Sequence, residues 1–250
     1  MLQLQQTIDA RAKYGLDAPG LVWTFLCLGI VFSAFGLVLA LLINNGNLLL
    51  LLLCILALYN GFWMLLSGVL MLRSSFVGKL RMRDQLLDAL SLSGNETVLD
   101  VGCGHGLLLI GAALRLPRGR AVGVDHWSVV DQGRSNCRTT TLANANAEHV
   151  ADRVEVRDGD MRDLPFDDAS FDAVVASLAI HNISSREERR QAIREIVRVL
   201  KPQGKVALLD FRHSKQYAAD LRECGMHNIH ISKLSFQMYP PVHTVTAIKA

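Results

Sequence analysis

Thr97-Val-Leu-Asp-Val-Gly-Cys-Gly-His-Gly106 is the stretch that decides how this chain folds. Thr97, Val98, Leu99 and Val101 read as a buried strand that passes straight into glycines at 102, 104 and 106. An apolar helical run, Leu107 to Leu116, follows without a gap. Strand, glycine turn, helix is how an α/β sheet offers bare backbone N–H groups and a helix N-terminus to a nucleotide-like ligand. The glycine pattern alone is a weak signal, because G-x-G sequences also open nicotinamide-binding folds.

The sequence that follows strengthens it. Strands are expected at 97–101, 120–125, 153–157, 171–177, 205–210, 227–233 and 243–249, and helices at 106–116, 128–147, 185–200 and 214–224. Such alternation predicts a parallel sheet with helices on both faces. Almost no helix separates the last two strands, and Pro240-Pro241 marks a turn, so a terminal antiparallel hairpin is expected. Ligands of open α/β sheets bind outside the carboxyl ends of the strands. Asp125 closes the second strand, where a carboxylate can accept both hydroxyls of a ribose. Asp158-Gly-Asp160-Met161 follows the third, and Ser177-Leu-Ala-Ile-His-Asn182 ends the fourth.

In this order the segments resemble a class I S-adenosylmethionine-dependent methyltransferase, in the group that includes ubiquinone-biosynthesis and other small-molecule methyltransferases. The resemblance rests on Val98–Gly106, Val122-Gly-Val-Asp125, Gly159-Asp-Met-Arg-Asp-Leu-Pro-Phe166, Phe171-Asp-Ala-Val-Val175 and Glu195-Ile-Val-Arg-Val-Leu-Lys-Pro-Gln-Gly-Lys205. It implies a Rossmann-like seven-stranded sheet, mostly parallel with the last strand antiparallel, and S-adenosylmethionine as cofactor. It further implies that Asp100 and Gly102, Cys103, Gly104, His105 and Gly106 line the methionine part of the cofactor. Asp125 then holds the ribose, His126 or Trp127 flanks the adenine, and Asp160 with Met161 caps its amino edge. Ser177, at the end of the fourth strand, completes the expected cofactor shell.

A sulfonium methyl is already activated, so the protein mainly aligns a nucleophile behind it and excludes water. A general base is required only for an acceptor that is protonated at working pH. His181 stands where such a base would act, although a histidine hydrogen-bonded to structure would look the same in sequence. Tyr14, Asn182 and Asp210 are the other candidate acceptor contacts. The remaining histidines share no ligand spacing, so no metal site is expected.

Upstream the chain changes character. Leu21 to Ile43 and Leu48 to Leu72 carry no charge, and each is long enough at about 1.5 Å per residue to cross a hydrocarbon core of roughly 30 Å. A hairpin of two transmembrane spans is expected, turning at Asn44-Asn-Gly-Asn47. The first run is too long for a signal peptide and has a second behind it. Residues 1–83 carry a balance of +4 and residues 84–250 of −1, so the overall +3 is juxtamembrane rather than a nucleic-acid-binding surface. Lys and Arg flank the outer ends of the spans and are missing from the turn, which predicts both termini and the catalytic domain on the cytoplasmic side. Arg73, Lys79, Arg81 and Arg83 form a cluster that suits either anionic headgroups or a plain stop-transfer flank. Five cysteines without a C-x-x-C pair give no disulfide or zinc framework.

The expected organisation is an amphipathic segment over 1–20, a membrane hairpin over 21–72, a basic linker helix over 73–92 and a methyltransferase domain over 93–250. The expected activity is methyl transfer to a small, lipophilic or membrane-associated acceptor, with residues 1–20 folding back as part of a lid. A membrane-anchored NAD(P)-dependent oxidoreductase and a non-catalytic cofactor-binding scaffold are the alternatives. The first expects G-x-G-x-x-G, whereas this loop gives G-x-G-x-G. Small-x-x-x-small patterns at Gly29–Ser33 and Ala57–Gly61 suit packing between copies, or the contact of the two spans within one chain.

Overall fold

The computed structural model describes residues 14–43, 47–128 and 136–250. Two long helices come first, α1 (Pro19–Leu42) and α2 (Leu48–Arg73). Both are long and apolar enough to cross a membrane. Their approach is set by glycines: Gly29 and Gly36 lie against Leu65 and Leu58, while Gly61 and Gly68 lie against Ser33 and Leu26. A methyl group at Gly61 would collide with Ser33, so the small-residue pattern is used inside one chain. Asn47 caps α2, its side chain accepting from Leu50 N at 3.1 Å. Asn44 to Gly46 lie outside the described residues.

Helix α2 does not stop at its last apolar residue. It continues through a π-helical turn, Ser74–Gly78, into α3 (Lys79–Ala89), making one helical rod from Leu48 to Ala89. The residue that the turn inserts is explained by what docks there. Gly78 lies flush against the Gln237 carbonyl, and Ser74 Oγ accepts from Tyr239 N at 3.0 Å. Ser75 Oγ accepts from Asp17 N at 3.1 Å.

Beyond the rod lies a seven-stranded sheet: β1 (Thr97–Val101), β2 (Arg120–Asp125), β3 (Val154–Asp158), β4 (Phe171–Ser177), β5 (Leu200–Asp210), β6 (Met226–Ile231) and β7 (His243–Lys249). Its order is β3-β2-β1-β4-β5-β7-β6, with β7 antiparallel to both neighbours and the central pairs parallel. Side chains alternate between two buried faces. Leu99, Val101, Val174, Ala176, Val206 and Leu208 pack with α6 (Arg186–Val199) and α7 (Ser214–Glu223) on one face. Val98, Val175, Ala207 and Leu209 pack with α3 and α4 (Leu107–Arg115) on the other. Helix α5 (Arg138–Ala147) is shorter than the sequence predicts. Asn136 and Cys137 are not helical, and residues 129–135 lie outside the described residues.

Strand order reverses between β1 and β4. Register aligns Val101 with Val124 and Asp125 with Asp158, so the carboxyl ends of three strands meet at one edge. The crevice for a ligand belongs there.

Candidate active site

Gly106 caps α4 in the left-handed conformation, φ +87°, so the helix begins as soon as the glycine loop ends. Asp125 ties the loop to β2. Its Oδ2 accepts from Gly104 N at 2.8 Å and its Oδ1 from Trp127 N at 2.7 Å. Asp100 Oδ2 accepts from Leu109 N at 2.8 Å, which anchors the first turn of α4 on β1. Gly102 turns at φ +73° and runs against Ala179, so any side chain would close the space between loop and β4.

These residues bound one end of a cavity of about 400 Å³. Of the expected cofactor residues, Asp100, Gly102, Cys103, Gly104, His105, Asp125, His126, Met161 and Ser177 line it. Three stand outside its lining. Gly106 is turned toward Thr141 and Ile110, Trp127 Nε1 donates to Asp158 Oδ1 at 2.6 Å, and Asp160 is gripped by Arg162. That grip holds the Asp160 carboxyl below its ordinary range, because the guanidinium donates to it directly. Burial pushes the Asp100 carboxyl up to about 8, and the charge of Asp125 adds to the shift. Burial likewise raises the Cys103 thiol, which removes it as a nucleophile.

Across the cavity stands His181, in the short turn Ile180–Asn182 after β4. Its Nδ1 lies 3.1 Å from Asp210 Oδ1 and 3.2 Å from Oδ2. Asp210 also accepts from Tyr217 OH at 3.1 Å and from Arg212 N at 3.2 Å. Phe211 packs edge-on against the imidazole, centroids 4.5 Å apart. The expectation for Asp210 is therefore corrected: it does not face the acceptor but sits behind His181, because its carboxylate is consumed by three donors. With Nδ1 so engaged, Nε2 is the ring nitrogen left for an acceptor. Asn182 also lines the cavity.

The other wall comes from outside the sheet. Tyr14 is 4% exposed, packs beside Cys103 and Leu108 and lines the cavity; burial raises its phenol to about 12. Gly15 rests on the His105 ring. This strap is held by Lys79, whose Nζ donates to Tyr14 O (2.9 Å), Gly15 O (2.7 Å) and Asp17 Oδ1 (3.1 Å). Lys79 is only 5% exposed and all three of its donors are used, so it is no headgroup contact. Arg83, paired with Asp84 at 2.9 Å, is likewise turned inward. Residues 1–13 of the expected amphipathic segment lie outside the described residues. Lys79, Ser74, Ser75, Ala179, Phe211 and Met238–Pro240 all line the cavity and escape the sequence reading. The one available signal was the pairing of Tyr239 with two prolines, read only as a turn.

A family described as a methyltransferase domain matches residues 99–208, from β1 through the glycine loop to β5. An uncharacterised methyltransferase of Mycobacterium tuberculosis is 31% identical over 150 residues, covering 58% of this chain and 68% of its own length. The chain belongs to the methyltransferase family. The methyltransferase cofactor is S-adenosylmethionine. An Arabidopsis thaliana chloroplastic 2-phytyl-1,4-beta-naphthoquinone methyltransferase is 34% identical over 132 residues, 51% of this chain and 48% of that protein. The chain spans about half the length of the curated relatives it matches. The crystal structure of a SAM-dependent methyltransferase from Aquifex aeolicus superposes with a TM-score of 0.54 at 18% identity, covering 69% of this chain and 92% of that one, and shares the fold.

The residues present fit this cofactor. Two buried carboxylates, Asp100 and Asp125, suit a ligand that carries positive charge. Asn136 Oδ1 is buried in the cavity lining with no hydrogen-bond partner among the described residues, an acceptor left for a bound group. The bare backbone at Gly102 gives the close approach that a Cβ would forbid.

Proposed function

We propose that this methyltransferase is an integral membrane enzyme that transfers a methyl group from S-adenosylmethionine to a small lipophilic acceptor bearing an ionisable hydroxyl. The observation that carries this reading is the single cavity with Asp100, Asp125 and the glycine loop at one end and His181, backed by Asp210, across it.

When bound, the cofactor supplies a sulfonium methyl that needs only an aligned nucleophile. In this reading the glycine loop and Asp125 hold it in one orientation, and Asp160–Met161 mark the edge where its base would lie. His181 Nε2 takes the acceptor's proton as the oxygen becomes nucleophilic. Asp210 keeps the Nδ1 proton in place and stabilises the imidazolium that forms. The strap at Tyr14–Asp17 excludes water, with Tyr14 as an acceptor contact. The quinone methyltransferase among the relatives supports a small lipophilic acceptor.

Membrane insertion is supported by the apolar windows of both long helices, of which only 17% is buried against protein. Most of their surface is thus uncovered by protein, whereas a core helix of a soluble domain would be covered. The positive flanks support a cytoplasmic site. The glycines between α1 and α2 are occupied within the chain, which favours one hairpin per molecule over contacts between copies.

The test is calorimetry of the full chain in lipid nanodiscs with S-adenosylmethionine and with NAD, followed by labelling of a membrane lipid extract from the methyl-tritiated cofactor. Binding of the first ligand alone, and a labelled product that His181→Gln reduces at least a hundredfold, are expected. Binding of NAD instead, or binding of S-adenosylmethionine with no product from any extract, would overturn the reading.

A further inference from the structure

We infer that the acceptor enters sideways from the bilayer, through a portal between the domain-side ends of α1 and α2 and the β6–β7 loop, and that it is an amphiphile with an apolar tail. The inference rests on the methyl-transfer reading above and adds the route and the shape of the substrate.

The cavity that begins at Asp100 and Gly102 ends on Leu21 and Met71. Those two residues belong to the charge-free runs of α1 and α2. One continuous space therefore touches both a polar reaction centre and side chains at the level of the spans. A wholly soluble acceptor would leave the Leu21–Met71 end unfilled, and a wholly apolar one would bring His181 nothing to deprotonate. Only a molecule with two unlike ends matches both.

The third wall of the portal is fixed in depth. Tyr239 OH lies 3.0 Å from Ser67 Oγ. Ser67 precedes the first charge of the rod, Arg73, by six residues, or about 9 Å of helix at 1.5 Å per residue. Arg73 itself donates to Gln237 O at 3.4 Å, tying the same loop to the end of the span. The loop's outer side presents Phe236, 73% exposed, and Leu234. A loop pinned at the depth of Ser67 with exposed apolar side chains stands in the interfacial layer, where aromatic groups are at home. Met238, Tyr239 and Pro240 on its inner side line the cavity.

Between mouth and reaction centre the lining turns polar at Ser75, Asp17 and Lys79. Lys79 is satisfied by the strap, so this band offers the passing molecule no unpaired charge. It divides the space into a head compartment at His181 and a tail channel at Leu21 and Met71.

The experiment uses the full chain in nanodiscs made with a membrane lipid extract and methyl-tritiated cofactor. Wild type is expected to yield a labelled product that partitions into the organic phase and carries an apolar chain by mass. Leu21→Trp and Met71→Trp narrow the portal and are expected to cut labelling at least tenfold, with cofactor affinity within twofold of wild type. Leu21→Ala and Met71→Ala, which widen it, are expected to lose less labelling than the Trp variants, and the retained cofactor affinity separates blockage from misfolding. Labelling unchanged by both Trp variants, equal losses in the Trp and Ala variants, or a water-soluble product overturns the portal while leaving methyl transfer intact. Cofactor binding without any product from wild type overturns the methyl-transfer reading, and the portal falls with it.

Discussion

Replacing Asp210 by Asn isolates the role assigned to the carboxylate behind His181. Asp210 meets three donors: His181 Nδ1, Tyr217 OH and Arg212 N. An amide offers one acceptor oxygen in place of two. The backbone N–H of Arg212 cannot become an acceptor, so the amide oxygen must stay on its side. The NH2 group then falls on the Tyr217 side, where the hydroxyl can turn to accept. His181 Nδ1 keeps a neutral hydrogen bond to the remaining oxygen but loses the charge-assisted one that stabilises an imidazolium. Such a bond is worth about 1.5–3 kcal/mol. At about 1.4 kcal/mol per factor of ten, kcat falls roughly tenfold to a hundredfold, and further if the amide NH2 inverts the imidazole tautomer. The acceptor KM and the cofactor Kd stay within about threefold, since Asp210 lines neither end of the cavity. Steady-state methyl transfer in nanodiscs, with calorimetric cofactor binding beside it, gives the split. A kcat within twofold of wild type would show that His181 carries no developing charge, and that its bond to Asp210 is structural.

Two further outcomes follow from the geometry. Asp100 has its folded-state carboxyl raised to about 8 by burial, against about 3.9 in an unfolded chain. It therefore holds a proton in the unliganded fold that the unfolded chain releases, and its contribution to stability is lost as pH rises from about 4 to 8. A cationic cofactor favours the ionised form, so cofactor affinity should rise with pH up to about 8 and then level; Asp100→Asn should flatten the profile, and a wild-type profile flat from pH 6 to 8 would refute the coupling. Lys79→Met removes three of the bonds that hold the strap and leaves the Asp17 carboxylate without its cation. Breaking a buried pair of this kind costs about 3–5 kcal/mol, discounted here because Asp17 is one-third exposed. Hydrogen exchange at residues 14–18 should accelerate at least tenfold while β1 stays protected, and unchanged exchange would show that Tyr14 packing and the Ser75–Asp17 bonds hold the strap without Lys79.

Much of the fold is legible because strands buried on both faces are near-continuous apolar runs, and Thr97–Val101 with its glycines is a strong punctuation mark. The carboxyl-edge positions follow from topology, and Asp100, Asp125, Met161, Ser177 and His181 fall around one cavity. What was not legible depends on pieces of chain meeting across long separations. The charge of Lys79 reads as juxtamembrane because nothing in Lys79-Leu-Arg-Met says that residues 14–17 return to it. Asp210 sits at a strand's carboxyl edge like Asp125, and only the packing of α7 brings Tyr217 to claim its oxygen. The π turn at Ser74–Gly78 leaves no trace in hydrophobic spacing, since it is set by what the β6–β7 loop presses against it. Site residues that come from one sheet edge could be read; those that come from the seam between hairpin and sheet could not.

The unbroken rod from Leu48 to Ala89 has a kinetic consequence. A catalytic domain on a flexible tether sweeps a volume and meets its substrate at an effective concentration set by the tether's length. A domain carried on a continuous helix sweeps almost nothing. In the membrane-anchored reading proposed above, its substrate would arrive by lateral diffusion, and the quantity setting its rate would be the acceptor's mole fraction in the surrounding leaflet rather than its amount per volume of cell. On that proposal, diluting the bilayer with inert lipid would slow the enzyme even when the number of acceptors per enzyme is unchanged.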